Sequence, residues 1–142
     1  MAFAIHPKSG EMTRGRLQEM MERLLREGQA DSDGWSPAVD IFETTDSVVL
    51  VVELAGVNPD DVEITVDRDV VRVSGHRGPT CCAAGARYHR MEITSGGFAR
   101  SFRIRVPFVA QKVQARAENG LLIITLPKDR LLQARTIIVE SV

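Results

Sequence analysis

The side chains that could do chemistry here are three histidines, two cysteines and a few neighbouring aspartates. Their spacing argues against most of that chemistry. His6, His76 and His89 are scattered, and neither G-x-S-x-G nor H-E-x-x-H occurs. No Gly-rich phosphate loop precedes a helix. Asp60-Asp61 and the Asp67/Asp69 pair lie in N-P-D-D and D-R-D, sequences in which short carboxylates serve turns rather than acid–base work. Cys81-Cys82, alone or with His76, admits a metal or redox site; the other reading is a pair of loop thiols without that role. No catalytic residue, metal ligand, cofactor or ATP site is assigned, so the chain is read as not an enzyme.

The residues that remain are organised by period. Val113–Lys128 reads V-Q-A-R-A-E-N-G-L-L-I-I-T-L-P-K. Asn119-Gly120 predicts a two-residue type I′ hairpin, which needs positive φ at both central positions. Before the turn, Val113, Ala115 and Ala117 alternate with polar residues, a half-buried strand. After it, Leu121–Leu126 is almost continuously apolar, so this strand is expected to be buried on both faces until Pro127 ends it. Upstream, Val39 and Ile41 form a first strand that Pro37 places at an edge, and 47–55 is a long buried strand ended by Gly56. Val62, Ile64 and Val66 alternate with Glu63 and Thr65, and D-R-D turns into a partner strand at 70–74. The strand at 98–107 carries Phe98, Phe102, Ile104 and Val106 on one face. Short strands and close turns predict an all-β antiparallel sandwich or barrel.

Totals set the outer limits. A chain of 142 residues, 44% hydrophobic and 26% charged, is one domain of ordinary size. A net charge of −1 gives no bulk electrostatic reason to bind nucleic acid or an anionic membrane. No apolar run approaches the roughly 18 residues of a membrane helix, and no signal-peptide core is seen at the N-terminus. Two adjacent cysteines make no disulfide framework, and the expectation is a cytoplasmic protein.

Three segments stand outside the sandwich rhythm. In residues 1–34, Leu17, Met20, Met21, Leu24 and Leu25 share one face of a helix over about 13–27, capped by Thr13 and ended by Gly28. It packs either on its own sandwich or on other chains, as its adaptable methionines suit. Gly75–Arg87 breaks the strand pattern, and Tyr88–Glu92 is a short strand at the tip of that excursion, suited to pairing with another subunit. The tail, 129–142, holds Ile137 and Val139 in phase. Arg100, in phase with the core stripe of its strand, must find a carboxylate or reach solvent, since an unpaired buried charge costs several kcal/mol. Arg103 and Arg105 are read as solvated charges.

These residues together resemble the small heat shock proteins, the family of the α-crystallin domain. Ala115-x-x-x-Asn119-Gly120-Leu121-Leu122 is similar to its A-x-x-x-N-G-(V/L)-L hallmark, and Gly96-x-Phe98-x-Arg100-x-Phe102 to its G-x-F-x-R-x-F strand. W-S-P-A-V-D-I at 35–41, E-L-A-G-V at 53–57 and the C-terminal Ile137-x-Val139 complete the likeness over about 35–139. The resemblance implies an ATP-independent chaperone that holds unfolding proteins and assembles from dimers into oligomers. It implies a short helical arm (1–34), an α-crystallin domain (35–128) folded as an all-β, immunoglobulin-like antiparallel β-sandwich, and an extended C-terminal tail (129–142). Tyr88, His89, Arg90, Met91 and Glu92 resemble the exchanged strand of bacterial and plant members, and Arg100 takes the place of an interface arginine, with Glu92 as a candidate partner. Val62, Ile64 and Val66 on one side, and Val113, Ala115 and Ala117 on the other, are expected to border a groove. Ile137 and Val139 are its expected plug, and Leu17–Leu25 the stripe for clients or neighbouring subunits. The alternative is a non-oligomeric sandwich that acts as a co-chaperone adaptor.

Overall fold

The computed structural model describes residues 5–7, 34–131 and 138–141. The helix expected over 13–27, with Leu17, Met20, Met21, Leu24 and Leu25, lies outside the described residues, as does Ile137. Among the described residues, eight strands form two four-stranded sheets: β1 (Ile5–Pro7), β4 (Val62–Asp67), β5 (Val70–Arg77) and β6 (Gly96–Arg103) in the order β1-β4-β5-β6, and β2 (Val39–Glu43), β3 (Ser47–Glu53), β7 (Gln114–Glu118) and β8 (Leu121–Pro127) in the order β2-β3-β8-β7. Every pairing is antiparallel except β1 with β4.

The inner faces are the period-two stripes. Leu50 and Val52 of β3 and Leu122, Ile124 and Leu126 of β8 meet Ile64 of β4 and Val71 and Val73 of β5, all of them almost wholly buried. The β7–β8 hairpin turns as its sequence demands, with φ of 53° at Asn119 and 77° at Gly120. Among the described residues, strand β2 has one neighbour, β3, and stands at the edge of its sheet.

Several expectations are corrected. The strand at 121–126 is not buried on both faces: Leu122, Ile124 and Leu126 point inward, Ile123 and Thr125 are half-buried, and Leu121 is exposed. Gly75–Arg77 belongs to β5 and not to the excursion, because Phe98 packs onto Gly75 and the ladder runs on to the pair Arg77–Gly96. β6 stops at Arg103, since its partner β5 begins at Val70, directly opposite. The chain then bonds to the turn instead, through Ile104 N–H to the Asp69 carbonyl at 2.7 Å. Arg103 is not merely solvated; its Nε donates to Asp69 at 2.8 Å.

A candidate docking groove and an exposed excursion

At one end of the sandwich, the start of β4 faces the β7–β8 hairpin across a cavity of about 290 Å³. Its floor is the turn after β3, Leu54, Gly56 and Val57, with Pro59 alongside. Val62 forms one wall, and Ala117, Leu121 and Leu122 with the Asn119-Gly120 turn form the other. Local chemistry builds the floor: Asn58 accepts from Asp60 N–H at 3.0 Å and caps the 3-10 turn Pro59–Asp61, which aims the chain into β4. Leu54 N–H donates to the Gly120 carbonyl at 2.8 Å and ties the floor to the hairpin. Small Ala117, opposite Leu122 in the ladder, leaves the space open.

This cavity brings together Val62 and Ala117 of the expected groove, but not the others. Ile64 is 0% exposed and Val66 4%, so both are core residues and cannot line an open groove. Val113 precedes β7 and is likewise buried in the core, and Ala115 is half-buried against it. The backbone of β4 is covered as well: Ile5–Pro7 pairs with it in register Ile5–Ile64 to Pro7–Val66. Sequence reasoning placed Leu54 inside the buried strand 47–55, which in fact ends at Glu53, and missed Val57 and Pro59 because they lie in a turn, where period carries no signal.

The excursion 78–95 leaves β5 and returns to β6. Tyr88, His89, Arg90, Met91 and Glu92 are all exposed, and in the single chain they form no strand. Tyr88 folds the arm back, its hydroxyl accepting from Cys81 N–H at 3.2 Å and lying 3.4 Å from the Thr80 hydroxyl. Arg90 and Glu92 lie 4.0 Å apart at the surface, a contact of little weight. Arg100 does not reach Glu92 within the chain: its Nη1 donates to the Pro37 carbonyl at 2.9 Å, and its guanidinium lies over the Phe102 ring at 4.8 Å. Cys81 and Cys82 are free and exposed. Among the described residues, no three His, Cys, Asp or Glu side chains converge so as to hold a metal ion.

The start of the tail is pinned by Asp129 N–H to the Pro107 carbonyl and Lys128 Nζ to Glu43, 2.9 and 2.8 Å. Further on, Ile138 and Val139 stand 84% and 88% exposed.

Known proteins share this arrangement. The model of the Hsp20/alpha crystallin family matches residues 40–140. Small heat shock protein C2 of Rickettsia felis is 34% identical over 105 residues, 74% of this chain and 68% of that protein. The 18.1 kDa class I heat shock protein of Pisum sativum is 34% identical over 106 residues, 74% of this chain and 67% of its own. Among solved structures, heat shock protein 16.0 of Schizosaccharomyces pombe superposes with a TM-score of 0.65 at 30% identity, covering 75% of this chain and 99% of that one. A small heat-shock protein from Xylella fastidiosa gives 0.64 at 30% identity, covering 76% and 99%. With this sandwich, its Asn-Gly hairpin and relatives alike in both sequence and structure, the chain belongs to the Hsp20/alpha crystallin family.

Proposed function

We propose that this protein is an ATP-independent holdase of the cytoplasm, which assembles from dimers and keeps unfolding proteins from aggregating. Family membership suggests the chaperone role. The observation that carries the finer reading is the apolar cavity between Val62 and Ala117, on the same chain as an exposed extension bearing Val139.

A holdase needs apolar surface that clients can reach but that does not precipitate the protein itself. A groove reversibly plugged by tails meets both needs. Burying one aliphatic side chain is worth about 1.5–3 kcal/mol, and ordering an extended tail offsets much of it. One tail therefore exchanges readily, while many tails in an oligomer hold by avidity. Ile137 and Val139 are the plug in this reading. Warming or dilution frees grooves and the Leu17–Leu25 stripe for clients.

Dimerisation has support of its own. Among the described residues nothing pairs with the outer edge of β2, which carries exposed Ile41 and Phe42, while Tyr88, Met91 and Ile93 stand exposed on the excursion. An exposed edge strand and an unpaired arm on each copy complete one another when two copies exchange arms. The test is heat-induced aggregation of an unrelated enzyme without nucleotide. Suppression at substoichiometric to equimolar ratios is the expected result; its failure favours the adaptor reading.

A further inference from the structure

The excursion has a narrow neck, where the chain leaves at Arg77, the last residue of β5, and re-enters at Gly96, its ladder partner. Arg77 closes this neck with its side chain. Its Nε and Nη2 donate to the Thr94 carbonyl at 2.9 and 2.6 Å, and its Nη1 to the Ala55 carbonyl at 3.1 Å. The Cζ of the same guanidinium lies over the Trp35 ring, 3.7 Å from its centroid. Trp35 is fixed in turn to the returning limb, its Nε1–H donating to the Gly96 carbonyl at 3.0 Å and its ring meeting Phe98 edge-on at 5.2 Å. The outgoing limb thus supplies the cation and the incoming limb holds the ring under it.

We propose that Arg77 is the positioning residue of subunit exchange: it locks the neck with Trp35 and so fixes the direction in which the arm leaves for its partner. This rests on the reading of 78–95 as the dimer arm. The contacts need arginine in particular, because only a planar fork of donors can bond two carbonyls along its edge and stack on an indole with its face. A lysine keeps the charge and loses the fork. Without the lock the ladder frays at its last pair, and each copy must order that backbone when the arms exchange. Ordering about one backbone residue in each of the two copies weakens their association roughly tenfold or more.

The test compares the full-length chain with Arg77→Lys, Arg77→Met and the arm variant Tyr88→Ser/Met91→Ser. Dimer dissociation is followed by native mass spectrometry on dilution, and emission of Trp35, the single tryptophan, reports the lock. Far-UV circular dichroism checks the sandwich. The expected result is an unchanged sandwich in Arg77→Lys, a red-shifted and more readily quenched Trp35, and a dimer weakened about tenfold or more. If both Arg77 variants dimerise like the parent while the arm variant falls apart, the arm makes the dimer and Arg77 does not position it, which overturns the inference. If the arm variant also dimerises normally, the reading of 78–95 as the dimer arm is refuted, and the inference with it.

Discussion

Replacing Gly75 by alanine tests the packing that holds the sandwich at the root of the excursion. Gly75 sits in β5 between Val62 of β4 and Phe98 of β6. A Cβ there would lie 2.4 Å from the Asp61 carbonyl oxygen, 2.8 Å from Phe98 Cζ and 3.1 Å from Phe98 Cε1. Carbon contacts settle near 3.5–4.0 Å, so the methyl overlaps backbone on one side and an aromatic ring on the other. Neither yields cheaply. Asp61 ends the turn that aims β4, and the Phe98 ring is buried and braced on Trp35. Overpacking of this kind costs about 1–3 kcal/mol, and the two-sided clash places Gly75→Ala near the upper end, about 3 kcal/mol. For a domain of this size that lowers the midpoint by roughly 12–24 °C. Thermal unfolding followed by far-UV circular dichroism measures it. Gly78→Ala is the control, since a Cβ there meets nothing within 4 Å; its midpoint should hold or rise slightly. A Gly75→Ala midpoint within about 4 °C of the parent, corresponding to less than about 1 kcal/mol, would refute the packing argument.

Three further outcomes follow from the same contacts. Ile137→Ser with Val139→Ser should shrink the assembly measured by light scattering, and an unchanged mass would rule the tail out as its anchor. Arg100→Ala removes a charge-assisted bond to the Pro37 carbonyl and should cost about 1.5–3 kcal/mol in urea unfolding; a loss below about 0.5 kcal/mol would mean that this bond adds nothing. Cys81 and Cys82 are both free and exposed, so thiol titration of the native protein should give two rapidly reacting groups and no bound zinc; protected thiols would contradict their exposure.

The sandwich was legible because its core obeys period two. Leu122, Ile124 and Leu126 alternate inward, and Asn119-Gly120 could turn in one way only. What sequence could not show was set by contacts distant along the chain. Gly75 looked like the end of a strand, but Phe98 keeps its place in the ladder by packing where a side chain would have been. Ile64 and Val66 looked like the wall of a groove, since alternation says which residues share a face but not which face is covered, nor that Ile5–Pro7 would pair alongside. Beyond Leu54, the floor of the groove, Gly56, Val57 and Pro59, carried no periodic signal. Arg100 stood out as an odd letter in its stripe, yet its acceptor proved to be a backbone carbonyl, which no pattern of side chains reports.

The claim that one groove serves both tail and client is tested most directly by a photoreactive side chain at Ala117, an exposed position on the groove wall. In the resting assembly it should crosslink to the 135–142 segment, and on heating with an unfolding enzyme the crosslink should pass to the client. Crosslinks to neither, or a tail crosslink that persists undiminished while aggregation is being suppressed, would contradict the account.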